Sequence, residues 1–471
     1  MESKLGAPDS ASTQAQLRRL PSVSEVDRHL AARGLPHGKP VRGEVLAVLE
    51  GHRQAVLGGA DAPERGALLA AVEQRLQRPP ANQLRRVINA TGVVVHTNLG
   101  RAVLSPAVLQ DALPLASHYT NLEFDLETGR RGARGGRVPE LLAQLAEAEA
   151  ALVVNNNAAA VLLMLTALAA GGEVIVSRGE LVEIGGAFRV PDIMRLSGVR
   201  LVEVGTTNRT RVEDYAQAIT PETVALLKVH PSNFVMTGFT EEATVSELAA
   251  LGRERGLPVW NDLGSGNFYR FEQPALRALP TVAQEVRAGA DLVTLSGDKL
   301  LGAVQAGIVV GKREAVQTMQ RHPLYRSLRL DKLRLAVLER ALLDYLDIPV
   351  LRANNRVVAM LERTPDDMQP LAERVLAALR AQGRGRLQGS IVREESLAGG
   401  GAVPEVRIAT VCLAIERQGA DGEQFSVQLR RHDPPIIARV QEGRVLLDFR
   451  TILEDDLPHL EHAVAALAQL P

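Results

Sequence analysis

From about residue 85 to 345, short apolar runs alternate with stretches of helical periodicity. Ala151–Val154 reads as a strand, Asn155–Asn157 as a polar turn, and Ala158–Ala170 as a buried helix. Glu173–Val176, Leu201–Val204, Val224–Val229, Leu257–Asn261, Leu292–Leu295 and Ala306–Val310 predict further strands. Ser246–Arg255 predicts a helix between two of them. Such alternation makes an α/β fold, a mostly parallel sheet with helices on both faces. Ligands of these sheets sit at the carboxyl ends of the strands.

The flanks have a different texture. Leu17, Leu20, Val23 and Val26 recur at helical spacing, as do Val45, Val48 and Leu49, then Leu68, Leu69, Val72 and Leu76. They predict a helical N-terminal domain over 1–80, closed by Pro79-Pro80. A large domain over 81–345 follows. Over 346–471, helices at Leu371–Ala381 and His459–Leu470 mix with strands at Val406–Ile415 and Val445–Phe449, as in a small α+β domain.

Composition narrows the classes. The 471 residues carry 54 Lys+Arg against 55 Asp+Glu and are 46% hydrophobic, an ordinary globular balance. Cys412 is the only cysteine, so there is no disulfide framework, and its apolar strand makes it a core residue. The longest apolar run, Ala158–Ala170, is short against the roughly 20 residues of a membrane span. No signal-peptide core precedes it, and the expectation is a cytoplasmic protein without membrane or metal. Residues 1–80 hold 11 basic and 9 acidic side chains, which is no basic arm. Aromatics are only 3%, too few for base-stacking platforms, whereas an RNA read by shape and backbone remains compatible.

Only six of the 54 basic residues are lysines: Lys4, Lys39, Lys228, Lys299, Lys312 and Lys332. Lys299 is the best placed as an amine. It ends Leu295-Ser296-Gly297-Asp298-Lys299 at a strand end, among small and apolar residues. Desolvation there lowers the pKa and makes the amine a nucleophile able to form a Schiff base. Asp262 lies 37 residues earlier, also at a strand end, one strand–helix–strand unit away. The Asn156-Asn157-Ala158 turn opens a helix, where N–H groups and the helix dipole can hold a phosphate; an N-capping Asn is the plainer alternative. A phosphate cup, an acid for a ring nitrogen and a Schiff-base lysine are together what pyridoxal phosphate needs.

Longer stretches carry a family resemblance. They are Arg86–Arg101 (RVINATGVVVHTNLGR), Asn155–Ala160 (NNNAAA), Ser177–Arg189 (SRGELVEIGGAFR), Val204–Arg209 (VGTTNR), Asp262–Gly266 (DLGSG), Ser296–Gly302 (SGDKLLG) and Gln305–Ile308 (QAGI). Over about 85–335 the chain resembles the bacterial L-seryl-tRNA(Sec) selenium transferases, fold-type-I pyridoxal-phosphate enzymes. The resemblance implies Lys299 as the Schiff-base lysine and Asp262 as the pyridinium partner. It places Ser296, Asn156, Asn157 and Ala158 on the cofactor phosphate and His230 near the ring; a structural strand-end histidine is the other reading of His230. The resemblance also implies that the Glu180–Arg189 segment lines the site and that Arg101, Arg326 and Arg329 bind selenophosphate, whose oxygens suit forked guanidinium groups. The chain departs from the family's usual pattern at Ala303-Val304, at Tyr325 and in the Gly129–Arg137 loop.

The activity so implied is conversion of seryl-tRNA(Sec) to selenocysteinyl-tRNA(Sec), with the N-terminal domain binding tRNA and the chains assembling as a homo-oligomer, a ring-shaped decamer. The alternative is a related pyridoxal-phosphate lyase or transferase of a small amino acid or sugar acid, which would not need the N-terminal domain. A catalytically silent RNA-binding scaffold would not need Asp262, Ser296 and Lys299 together.

Overall fold

The computed structural model describes residues 10–77, 83–184, 188–231, 233–381, 387–399, 403–417 and 421–468. They form two compact units that part between Arg85 and Arg86. Pro79-Pro80 lies outside the described residues.

The first unit contains helices α1 (Ser10–Leu17), α2 (Val23–Ala32), α3 (Arg42–Leu57) and α4 (Arg65–Gln77). Ser22 starts α2 with a capping box: its Oγ accepts from Glu25 N at 3.3 Å, and the Glu25 carboxylate accepts from Ser22 N at 2.8 Å. Val26, Leu30, Val45, Leu68 and Val72 are fully buried, with Leu20, Val23, Val48, Leu49, Leu69 and Leu76 packed around them. The helical stripes in the sequence are the core of this unit.

The second unit holds two large sheets. The strands of these two sheets are β1 (Ile88–Ala90), β2 (Ala150–Val154), β3 (Glu173–Ser177), β4 (Arg200–Val204), β5 (Thr223–Val229), β6 (Val259–Gly264), β7 (Leu292–Ser296), β8 (Gly307–Gly311), β9 (Leu387–Gly399), β10 (Val403–Arg417), β11 (Ile436–Gln441) and β12 (Arg444–Asp448). The seven-stranded sheet has the order β2-β8-β7-β6-β5-β3-β4. Only β8 runs against its neighbours. Apart from the edge strand β4, the strands are buried on both faces, so alternate residues feed two cores. Ala151 and Val153 of β2 join Val293, Leu295, Ile308 and Val310 on one face. Leu152 and Val154 join Val174, Val176, Leu227 and Val309 on the other. Helices α5 (Pro106–Ser117) and α6 (Val138–Ala146) supply the first core, and α7 (Asn157–Ala169) the second.

The five-stranded sheet has the order β1-β11-β12-β10-β9. Its edge strand β1 comes from far upstream in the chain and pairs in parallel with β11, Ile88 opposite Ile436. Asp448, fully buried at the end of β12, accepts from Ser396 Oγ at 2.8 Å and Thr410 Oγ1 at 2.7 Å. Gly92, at φ +79°, lies against this carboxylate; any Cβ there would collide with it. Arg450, also fully buried, donates to the carbonyls of Met360, Arg363 and Ala409 at 2.7–2.9 Å.

Candidate active site

The carboxyl ends of β5, β6 and β7 bring the chemistry together. β6 and β7 pair in parallel with Asp262 opposite Thr294, and the register then slips at Leu263, so that Gly264 faces Leu295. The slip ends the strand just past Asp262. Gly264 takes φ +67°, and a Cβ there would stand 3.7 Å from Lys299 Nζ. Beyond β7, Leu300 and Leu301 are buried in the core and Leu300 N donates to Ser265 O at 3.1 Å. These anchors hold the turn that carries Lys299.

Lys299 is 6% exposed. Burial disfavours its ammonium form; Asp262 opposes this, Arg101 adds to it, and the pKa falls to about 8. Asp262 is buried beside it. Its Oδ1 accepts from Asn157 Nδ2 at 2.8 Å and from Thr294 Oγ1 at 2.9 Å. Burial still raises the carboxyl above its ordinary range, against those two hydrogen bonds and the Lys299 charge. Ser296, the last residue of β7, is buried in the same crevice wall.

Asn156 and Asn157 divide the labour at the start of α7. Asn156 is its N-cap, with Oδ1 accepting from Ala159 N at 2.9 Å. The Asn157 side-chain amide is spent on Asp262. Only the backbone N–H groups of the first turn, including Ala158, are left by the helix itself for an anion. His230 follows β5 and donates its backbone N–H to Asp262 O at 3.0 Å. Burial lowers its pKa first, helped by the charges of Lys228 and Lys299, so the ring is held neutral.

The arginines fall in two places. Arg101 adopts a left-handed conformation at φ 63° and pairs with Asp298 at 2.8 Å, next to Lys299. Arg326 and Arg329 instead line a cleft of about 350 Å³ with Arg131, Arg134, Arg321 and Glu123. Arg101 is not among its lining residues, so within one chain the three do not meet in one cleft. This cleft is tied to the crevice by Asn155 N, which donates to Leu328 O at 2.8 Å.

One group escaped the reading of the sequence. Lys228 lies within β5, and its Nζ donates to Glu180 Oε1 at 2.8 Å and Glu242 Oε2 at 3.0 Å. Glu180 Oε2 accepts from Val229 N at 2.8 Å. A lysine in an apolar strand was the available signal, since a buried cation requires a counter-charge. Of the Glu180–Arg189 segment, residues 185–187 lie outside the described residues.

The crevice fits pyridoxal phosphate. It offers a buried amine of lowered pKa, a buried carboxylate for a protonated ring nitrogen and a helix start for a phosphate. Asn155 Oδ1, Asn157 Oδ1 and Asp298 Oδ1 are buried without a hydrogen-bond partner among the described residues, which marks a polar ligand site. Sheet order, one reversed strand and a buried lysine after β7 define the fold of the type I pyridoxal-phosphate-dependent transferases.

The family model for L-seryl-tRNA selenium transferase matches residues 87–453. An L-seryl-tRNA(Sec) selenium transferase of Moorella thermoacetica is 46% identical over 451 residues, covering 95% of this chain and 96% of the relative. That of Geobacter metallireducens is 44% identical, covering 96% and 99%. The chain belongs to the L-seryl-tRNA selenium transferase family. A solved D-glucosaminate-6-phosphate ammonia-lyase shares the fold, with TM-score 0.59 at 22% identity over 82% of this chain and 97% of that one. No helix among the described residues is long and apolar enough to cross a membrane.

Proposed function

We propose that the chain converts seryl-tRNA(Sec) to selenocysteinyl-tRNA(Sec), with pyridoxal phosphate as cofactor and selenophosphate as selenium donor. The observation that carries this is the Lys299–Asp262 crevice in a chain 46% identical, over 95% of its length, to a selenium transferase. When bound, pyridoxal phosphate supplies an electron sink for the carbanion at the serine Cα.

The protein's own groups do the rest. Lys299 would hold the cofactor through its amine and, when free, would take the Cα proton at Nζ; a pKa of about 8 suits it to that task near neutral pH. Asp262 holds the proton of the ring nitrogen, with Asn157 and Thr294 fixing its carboxylate. Ser296 and the first-turn amides at Asn157 and Ala158 bind the phosphate, and Asn156 caps the helix that presents them. His230, whose pKa burial lowers, would lie beside the ring as a neutral imidazole. The serine hydroxyl would leave as water with the proton that Lys299 took from Cα; selenophosphate would then add through selenium at Cβ, Cα would regain a proton, and water would cleave the Se–P bond and release phosphate. Arg101 and the cleft of Arg326 and Arg329 bind the selenium donor's oxygens.

The helical first unit binds the tRNA, and the protein works in the cytoplasm as a homo-oligomer, with a ring-shaped decamer as the assembly expected. The test is the visible absorbance of the purified, cofactor-loaded protein. A band that changes with seryl-tRNA(Sec) but not with free serine is expected. A band indifferent to the tRNA would move the activity to a small-molecule lyase, and deletion of residues 1–75 should remove tRNA binding while sparing the band.

A further inference from the structure

The turn that carries Lys299 is held from outside as well as from within. Gly302 N donates to Lys299 O at 2.9 Å, and Ala303 N donates to Gly297 O at 3.0 Å. The Leu301 carbonyl accepts from two side chains, Tyr345 Oη at 2.9 Å and Asn355 Nδ2 at 2.9 Å. Leu301 is fully buried, and Asn355 and Tyr345 are buried with it. Burial raises the Tyr345 phenol well above its ordinary value, so it remains an O–H donor. Gly302, at φ +68°, lies against the Asn355 amide, and a Cβ there would collide with Oδ1.

The other end of that amide is committed too. Asn355 Oδ1 accepts from Val357 N and Val358 N at 3.1 Å and so starts the helix Arg356–Glu362. Arg450, just beyond β12, donates to the carbonyls of Met360 and Arg363 at the far end of this helix. A short helix thus runs as a strut from the five-stranded sheet to the Lys299 turn. A cap alone requires only an acceptor, and serine supplies one. The donor half of the amide is spent on the carbonyl two residues beyond Lys299. A buried carbonyl stripped of its donors takes up water. Water beside Leu301 would loosen the turn and hydrate Lys299, whose pKa is lowered first by burial.

We propose that Asn355 is a positioning residue of this site: with Tyr345, and through the Leu301 carbonyl, it fixes the turn that presents Lys299. The proposal rests on the role given to Lys299 under the preceding heading and deepens it.

The test uses the full chain with Asn355→Ser, with Tyr345→Phe and with both. Serine keeps a helix cap, and phenylalanine keeps the ring against Phe268, so each change removes chiefly the donor. Two quantities are read. One is kcat and KM for conversion of seryl-tRNA(Sec) with selenophosphate by cofactor-loaded enzyme. The other is the pH inflection of cofactor capture, followed by the visible band after pyridoxal phosphate has been stripped. Tyr345→Phe should lower kcat about threefold, Asn355→Ser about tenfold and the pair about 10²-fold, with KM within about twofold. The pair exceeds the product of the single losses because either donor alone still holds the carbonyl. The inflection should climb from about 8 by about half a pH unit in Asn355→Ser and by about one in the pair. Variants that lose urea stability but keep kcat and the inflection would overturn the proposal and leave Asn355 a helix cap. If the paired variant does not fold, the inflection of Asn355→Ser decides alone. Unmodified protein that captures cofactor but converts no seryl-tRNA(Sec) loses the proposed activity, and the inflection still decides on Asn355. Unmodified protein that gives no band loses Lys299 as the reactive amine, and the positioning role falls with it.

Discussion

Lys228 and Lys299 are both buried amines toward the carboxyl edge of one sheet, yet they have opposite electrostatics. Lys228 stands between Glu180 at 2.8 Å and Glu242 at 3.0 Å. Burial pulls its pKa down, but the two carboxylates outweigh burial and leave it raised. Lys299 also has two carboxylates acting on it, Asp262 and Asp298, but the like charge of Arg101 works against them, and burial prevails. Burial alone therefore does not make a nucleophile. The balance of burial, counter-charge and like charge decides whether a buried lysine is a structural cation or a reactive base.

The contrast can be broken in several ways. Lys299→Ala should cost the most, a fall in turnover above about 10³-fold with loss of the visible cofactor band. Its urea midpoint should barely move; a variant that kept the band would place the reactive amine elsewhere. Lys228→Met should do the reverse. Removing the cation leaves Glu180 buried and uncompensated, at about 3 kcal/mol of stability in chemical denaturation. The folded fraction should still show the band, and unchanged stability would mean the pair is not structural.

Asp262→Asn sharpens the comparison from the counter-charge side. The amide cannot hold a pyridinium proton, and turnover should fall by about 10²-fold while cofactor is still bound. The smallest effect is on pH dependence. Cofactor capture by protein stripped of pyridoxal phosphate needs the unprotonated amine. It should rise about tenfold per pH unit up to a pKa of about 8, then level off. Stability follows the same proton. From about pH 8 to 10.5 the unfolded chain keeps a proton that folded Lys299 has released, so stability rises with pH across that window. Lys299→Met should lack the rise, which paired urea titrations would measure.

The sheet was legible because its strands are buried on both faces and read as short apolar runs. All seven strands expected in it are present, within about three residues at their ends. The strand expected at Leu257–Asn261 begins at Val259, one residue beyond Pro258, which cannot donate to the ladder. Other strands were not legible. β9, LQGSIVREESLAG, is mostly half-exposed and polar, and β1 has only three residues. β1 is a strand because of what it pairs with far along the chain, and β9 because it runs antiparallel along β10, which follows it directly. At the site, Lys299 and Asp262 stood out by their placement at strand ends. The Lys228–Glu180–Glu242 cluster did not, since three segments must fold together before its charges meet. Asn156 proved to be the helix cap, the plainer of its two readings.

The pairing of β1 with β11 sets an order of events during synthesis. Ile88 leaves the ribosome roughly 20–70 seconds before its partner Ile436, at about 5–20 residues per second. The seven-stranded sheet, complete by Gly311, can assemble in that interval. The five-stranded sheet cannot close. Ile88 and Ala90, both buried against the five-stranded sheet in the finished protein, must wait unsheltered for about three quarters of the translation time. A message truncated before β11 therefore yields a chain whose first strand has no mate, marking an incomplete product for chaperones and proteases.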